Sequence, residues 1–203
     1  CTSFVIDLRG NTGGYMDAAI NMVNEFMPEG RLIVYTEGKA FPRNDVYTNG
    51  TGTCQDAPIV VLTDEFSASA SEIFSGAIQD NDRGTIIGRR TYGKGLVQTQ
   101  MSLSDGSEMR LTIARYYTPS GRCIQKKYEM GNTDAYDQDI YNRYMHGEFD
   151  SADSIKMDDS LKYQTVGGRT VYGGGGIMPD IFIPRDTSGV TSYYLSLIHI
   201  SEP

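Results

Sequence analysis

The chain has 203 residues, of which 39% are hydrophobic and 22% are charged, and its formal net charge is −8. These proportions are typical of globular proteins with a sizeable core, so they exclude a disordered tail, a fibrous repeat and a small disulfide scaffold. The negative charge repels phosphate backbones and argues against nucleic acid as a partner. No apolar stretch is long enough to span a membrane. The three cysteines fit neither a disulfide framework nor a zinc site, so no metal or cofactor is predicted.

Residues 1–115 alternate apolar runs with amphipathic segments, which predicts an α/β domain. One helix is predicted to follow the glycine turn 9–14 and to end near Pro28. A second begins at the serine-rich stretch 67–71 and carries its apolar residues on one face. The segment 41–55 is predicted to be a loop or an exposed hairpin. Strands are predicted at residues 3–8, 31–36, 58–63, 85–88, 96–103 and 109–116, the first and third buried and the last two forming a hairpin.

The composition changes after this first part. Residues 124–170 are polar, acidic and rich in tyrosine, which predicts surface helices and loops, and no motif assigns them a role. Residues 171–194 return to a core pattern with a final strand near 177–183. The last nine residues, 195–203, resemble an in-frame translation of a sequencing adapter, so they are not expected to belong to the fold. The first residue is Cys1 and a strand follows at once, so the start is predicted to be internal.

Histidine is too scarce for a Ser-His-Asp triad, because His146 lies in the polar segment, where a surface role is expected, and His199 lies in the adapter-like tail. A serine can instead be activated by a neutral lysine, which requires burial to lower a reference pKa of about 10.4 by roughly 3 units. Lys94, between Gly93 and Gly95, is the candidate and is expected to be buried. The alternative is an exposed hairpin lysine between two turn glycines.

Residues 88–94 also match the first seven positions of a phosphate-binding P-loop. Gly95 stands where that motif needs Ser or Thr for magnesium, and a strand rather than a helix is predicted to follow. No nucleotide is therefore expected.

The serine candidates stand at the start of the second helix, where backbone N–H groups and the positive helix dipole favour an oxyanion. Spacing does not distinguish among Ser67, Ser69 and Ser71, which could equally be helix caps or small packing residues. The turn at residues 11–14 is a second possible source of oxyanion donors, although such glycine turns are common between a strand and a helix.

Three blocks resemble the C-terminal processing peptidases, also called tail-specific proteases, in order and spacing. They are Asp-Leu-Arg-Gly-Asn-Thr-Gly-Gly at 7–14, Ser-Ala-Ser-Ala-Ser-Glu-Ile at 67–73 and Thr-Tyr-Gly-Lys-Gly-Leu-Val-Gln at 91–98. The resemblance continues through 103–106, 111–122 and 175–180, and it covers about residues 3–185. It implies an α/β fold like the Clp protease and crotonase cores, a spiral of strand-strand-helix units. It also implies that residues 1–123 are the peptidase catalytic core and 171–194 its C-terminal strand region.

The resemblance assigns roles to residues of this chain. Ser69 would be the nucleophile, Lys94 the general base and Gln98 the group that orients the lysine amine. The oxyanion hole would use the Ala70 amide and the amide of Gly13 or Gly14. Asp80 matches a family aspartate that is expected to be structural.

The implied protein is a serine endopeptidase that cleaves proteins near their C-termini through a Ser-Lys dyad, without metal or cofactor. Its implied setting is extracytoplasmic, periplasmic or at the envelope, and a homo-oligomer is possible. The helical segment and the PDZ domain that family members carry before the core are absent from this sequence. One alternative is a non-catalytic peptide-binding or scaffold protein on the same fold. Another is an acyl-CoA enzyme on the crotonase-like core, which would need a carboxylate or a paired oxyanion site instead of this dyad.

Overall fold

A computed structural model describes residues 2–128 and 133–186. The described elements, in chain order, are β1 (Phe4–Asp7), α1 (Met16–Phe26), β2 (Leu32–Glu37), β3 (Asn44–Tyr47), β4 (Ile59–Thr63), α2 (Ala70–Asp80), β5 (Thr85–Gly88), β6 (Leu96–Ser102), β7 (Glu108–Tyr117), α3 (Thr133–Asp137), α4 (Asp139–Met145), β8 (Lys162–Gln164), β9 (Thr170–Tyr172) and β10 (Ile181–Phe182). The predicted internal start at Cys1 and the adapter-like tail at 195–203 lie outside the described residues.

The first sheet is parallel and has the strand order β1-β4-β5-β10. Because the strands run in the same direction, the loops that follow β1, β4 and β5 all leave from one edge of the sheet. The prediction that the first strand is buried was wrong, since Val5 is 67% exposed. The reason is that β1 lies at the end of this sheet and alternates between half-buried and exposed residues.

The second sheet is antiparallel and has the order β3-β2-β7-β6. The predicted hairpin formed by β6 and β7 is confirmed, and the register shifts between Val97 and Gln98. The segment 41–55, predicted to be a loop or an exposed hairpin, contains one strand, β3, which pairs with the preceding β2, and its other residues form a loop. A small third sheet joins β8 to β9.

The hydrophobic core lies between the two long helices and the sheets. Every residue of α2 is buried, and the Phe74 ring meets the Phe26 ring of α1 edge-on with centroids 6.3 Å apart. Burying one large apolar side chain of this kind contributes about 1.5–3 kcal/mol. The largest apolar side chains that are almost fully buried are Phe74, Met27, Ile33, Ile78, Ile86, Ile124 and Ile177. The core therefore fixes α2 rigidly, together with the loop from which it starts.

Several residues of the polar segment after residue 123 are buried, although its composition predicts an exposed surface. Lys126, Arg143 and Phe149 are each about 5–6% exposed. The polar groups are buried because carboxylates and backbone carbonyls pair with them, as Glu148 does with Arg143 at 3.0 Å. The expectation of surface helices and loops is therefore wrong for these positions. Within residues 2–128 and 133–186, no helix has the length and hydropathy needed to cross a bilayer.

Candidate active site

Ser69 lies at the N-cap of α2 in a backbone conformation that L-residues rarely adopt, with φ 57° and ψ −116°. Such a conformation costs on the order of 1–3 kcal/mol, and strain of this kind clusters at functional sites. Ser69 is half-buried, whereas the other two candidate serines are buried. Ser67 donates to the carbonyl of Leu8 at 2.8 Å, and Ser71 donates to Asn11. The structure therefore separates Ser69 from the two serines that hold loops together.

Glu72 connects the serine to the lysine loop. Its Oε2 accepts hydrogen bonds from the backbone N–H of Ser69 and of Lys94, both at 2.8 Å. Its Oε1 accepts from the Thr91 hydroxyl at 2.5 Å and from the Gly93 N–H at 2.6 Å. The Ser69 and Lys94 amide nitrogens are therefore at most twice 2.8 Å apart.

Glu72 is fully buried. Burial raises the pKa of its carboxyl group, while the four donated hydrogen bonds act in the opposite direction. Glu72 is not among the site residues predicted from the sequence. The spacing Ser-x-x-Glu at the start of α2 was an available signal, since it is the capping-box pattern that the structure shows between Ser69 and Glu72.

The lysine loop is shaped by its two glycines. Gly93 has a φ of 88°, in the left-handed region. A Cβ on Gly95 would lie 2.5 Å from the Gln125 nitrogen, so the backbone approach there requires glycine. The expectation that Lys94 is buried was wrong, because its side chain is exposed. The backbone of the loop packs against the protein while the lysine faces solvent.

Gln98 lies on β6 and is exposed. Its Nε2 lies 3.4 Å from the Thr112 hydroxyl of the paired strand. Among the described residues it has no hydrogen bond to Lys94. The structure thus brings Ser69 and Lys94 together by their backbones and does not show the predicted contact of Gln98 with the lysine.

The glycine turn contacts the start of α2 directly. A Cβ on Gly13 would lie 2.8 Å from both the Ala70 nitrogen and the Ser69 Cβ, so only glycine permits this approach. The Gly13 N–H donates to Asn11 Oδ1 at 2.9 Å, whereas the Gly14 N–H has no acceptor within the described residues. The Ala70 N–H belongs to the first helical turn, which has no acceptor inside the helix. Ala70 and Gly13 therefore lie beside Ser69, and Gly14, which follows Gly13 and also lines the adjoining cavity, has an amide without an acceptor among the described residues.

An apolar cavity of about 130 Å³ opens beside these groups. It lies between the glycine turn, α1 and the first turns of α2. Its apolar wall includes Leu8, Ala18, Met22 and Phe74, and Gly13 and Ala70 line its side toward Ser69. Such a cavity can take one apolar side chain.

Comparison with known proteins then identifies the family. The model of peptidase family S41 matches residues 1–135, which is more than half of the chain. The chain belongs to peptidase family S41.

Individual relatives agree with this assignment. A carboxyl-terminal-processing protease of Synechocystis sp. is 42% identical over 123 residues, which are 61% of this chain and 28% of that protein. A carboxy-terminal-processing protease of Bartonella bacilliformis is 48% identical over 125 residues, which are 60% of this chain and 28% of that protein. The chain thus spans little more than a quarter of the length of these relatives.

A solved structure, the photosystem II D1 C-terminal processing protease, covers 90% of this chain with a TM-score of 0.62 and 28% identity. This chain covers 35% of that structure. The predicted fold class is confirmed, because this neighbour is a C-terminal processing protease and the chain has the mixed α/β architecture expected of the Clp-like proteases.

Proposed function

We propose that this chain carries the catalytic residues of a serine endopeptidase that cleaves proteins near their carboxyl termini. The observation that supports this most strongly is the Glu72 carboxylate, whose Oε2 accepts from the amides of both Ser69 and Lys94 at 2.8 Å. A buried acid that fixes two loops in this way gives a serine and a lysine a defined relative position. Such positioning can supply several kcal/mol of catalysis.

In the proposed reaction the Ser69 hydroxyl oxygen attacks the scissile carbonyl carbon. Neutral Lys94 takes the hydroxyl proton and returns it to the leaving amine, so the acyl-enzyme forms as the peptide bond breaks. Water then attacks the acyl-enzyme, Lys94 takes the water proton and passes it to the Ser69 oxygen as the ester bond breaks, and the new carboxyl terminus is released. The amides of Ala70 and of Gly14, or Gly13 if Asn11 releases it, would donate to the oxyanion, supported by the positive end of α2.

Because Lys94 is exposed in the free protein, the bound substrate would have to exclude water from its amine. An extended peptide that covers Lys94 would remove water from the amine and favour its neutral form. Gln98 is held by a single long contact at 3.4 Å, so its carbonyl could turn to accept from the covered lysine. This would orient the amine without adding a charge that stabilises the protonated lysine.

The apolar cavity beside Ser69 supports cleavage next to an apolar side chain. Its volume of about 130 Å³ fits one small or medium aliphatic group. Relatives of this chain are named for processing carboxyl termini, so apolar carboxyl-terminal tails are the substrate class that we propose. An extracytoplasmic location and a homo-oligomer belong to the same proposal. Nucleic acid and nucleotides are not part of it.

The test uses the protein expressed from its complete reading frame and an unstructured substrate with an apolar tail. Ser69→Ala and Lys94→Ala are each expected to lower kcat by about 10⁴-fold or more, since members of a catalytic unit fail together. Lys39→Ala, which removes another exposed lysine, is the matched control and should leave kcat unchanged. Full activity in either active-site variant would exclude that residue from catalysis.

The second candidate is a non-catalytic peptide-binding protein on the same fold. The exposure of Lys94 favours this alternative, as does the hydrogen bond that Gln98 makes to Thr112 and not to Lys94 among the described residues. Such a protein would bind apolar tails without cutting them, and Ser69 would not react with a fluorophosphonate probe. Covalent labelling that is lost in Ser69→Ala would decide for the peptidase.

A further inference from the structure

The helical segment 133–150, which the sequence left without a role, contacts the loop that carries Lys94. Arg143 of α4 is 6% exposed and reaches across to the backbone at the start of this loop. Its Nη2 donates to the carbonyl of Arg90 at 2.8 Å, and its Nη1 donates to the carbonyl of Thr91 at 3.1 Å. One guanidinium therefore binds two successive carbonyls, and the rigid fork of its donors suits this geometry.

The charge of this arginine is compensated on its other side. Its Nε donates to Glu148 at 3.0 Å, and Glu148 also accepts from Arg90 through two bonds of 2.8 Å. A buried ion is tolerated when paired and hydrogen-bonded in this way, and it holds its neighbours in one arrangement. Arg143, Glu148 and Arg90 thus form a closed unit behind the lysine loop.

Thr91 connects this unit to the candidate site, because it bonds to both Arg143 and Glu72. Its carbonyl is held by Arg143, and its hydroxyl donates to Glu72 at 2.5 Å. Glu72 in turn accepts from the amides of Gly93, Lys94 and Ser69. An unbroken series of hydrogen bonds therefore runs from α4 to the serine and lysine loops.

We propose that Arg143 is a positioning residue that holds the Arg90–Thr91 backbone and thereby sets the place of Lys94 relative to Ser69. This rests on the proposed function, since it assigns a role in that reaction to a residue outside the resembling motifs. Arg143 touches no reacting atom. Its loss is expected to lower kcat and to leave the KM for an apolar tail almost unchanged, because the cavity beside Ser69 is built from other elements.

Two variants of the complete protein test this, with Arg169→Ala as the matched control. Arg169 also makes three hydrogen bonds, to Asp82, Asp180 and the carbonyl of Gln79, but at the end of α2 opposite Ser69. Arg143→Ala is expected to lose about 10- to 100-fold in kcat, the size of effect of a small misplacement of a catalytic group. Arg143→Lys keeps the charge, but one ammonium nitrogen on a shorter stem replaces only part of the bonds that Nε, Nη1 and Nη2 make, so this variant should lose less. Arg169→Ala should keep kcat.

Two further measurements distinguish positioning from general stability. Guanidinium chloride at millimolar, non-denaturing concentration should restore part of the kcat of Arg143→Ala by occupying the vacated site, and it should not change Arg169→Ala. Amide hydrogen exchange at Gly93 and Lys94 should quicken in Arg143→Ala while protection in the centre of α2 stays. Unchanged kcat together with unchanged exchange in a folded Arg143→Ala protein would overturn the proposal. If the parent protein does not cleave at all, the proposed function fails, while the exchange data still decide whether Arg143 holds the loop.

Discussion

Substitution of Glu72 tests the connection between the two loops most directly. Glutamine keeps the size of the side chain but replaces one acceptor oxygen by an NH₂ group. If that group replaced Oε2, it would face the N–H groups of Ser69 and Lys94 and leave both without an acceptor. At Oε1 it would face the Gly93 N–H and the Thr91 hydroxyl, and a hydroxyl can rotate to accept. Glu72→Gln should therefore keep its oxygen on Ser69 and Lys94.

The magnitude follows from the number of donors left unpaired. Glu72→Gln leaves the Gly93 amide without a partner, which costs about 1–3 kcal/mol in the free energy of unfolding. Glu72→Ala removes the acceptor for three amides and a hydroxyl, so it should cost roughly 3 kcal/mol or more. Urea unfolding of the parent and both variants, with equal m-values, measures this difference.

Activity should follow the same order. Because Glu72→Gln keeps the Ser69 and Lys94 amides on one oxygen, we expect it to retain most of kcat. Glu72→Ala releases both loops, so kcat should fall by about 100-fold or more in protein that is still folded at the assay temperature. If Glu72→Ala matched the parent in both stability and kcat, the claim that this carboxylate positions the two loops would be refuted.

Ser69→Gly should have a free energy of unfolding about 1 kcal/mol higher than Ser69→Ala, because glycine adopts the positive φ without strain. Equal stability of the two variants in denaturant would contradict the strain at this position. Gly13→Ala should lower both stability and kcat, since its Cβ would lie 2.6 Å from a carbonyl oxygen, whereas Gly14→Ala has open space and should unfold like the parent. Asp80→Ala breaks a buried ion pair with Arg122 and should lower the free energy of unfolding by roughly 3–5 kcal/mol, while kcat per folded molecule stays unchanged. A large loss of kcat would instead make Asp80 catalytic. The pKa of Asp7 is lowered to about 2, first of all by a side-chain hydrogen bond from Arg9. The stability that the ionised Asp7 contributes is therefore present above pH 3.8 and is lost as the pH falls from 3.8 to about 2. Asp7→Asn should accordingly show a shallower fall of melting temperature over that range, and an identical profile would contradict the shift.

The parts of the fold that follow local rules could be predicted from the sequence. Helical periodicity indicated α1 and α2, and the glycines at residues 93 and 95 marked a loop between strands. The serine-rich start of α2 identified the right stretch, and the resemblance selected Ser69 within it. The structure gives an independent reason for the same choice, because the neighbouring serines are buried and bound to other loops.

The errors concern properties that depend on distant parts of the chain. Burial of Lys94 could not be inferred from its neighbours, because exposure is set by what packs against the loop from elsewhere. A polar composition predicted a solvated surface for Arg143, whereas its partners include two carbonyls about fifty residues away. The contacts of Glu72 with the lysine loop were missed for the same reason. Three of its four donors come from residues 91–94, which follow it by about twenty positions.

The position of β10 decides where the gene can be cut for expression. The family match ends at residue 135, yet Ile177 is fully buried in the core and exchanges two hydrogen bonds with Thr91. Asp180 accepts from the Ile86 amide at 2.7 Å, and β10 closes the parallel sheet on β5. A fragment that ended at residue 135 would leave β5 as an edge strand, unpaired on one side. It would also lack both hydrogen bonds between Ile177 and Thr91, the residue whose hydroxyl donates to Glu72. A fragment meant for crystallisation or assay must therefore extend beyond Phe182.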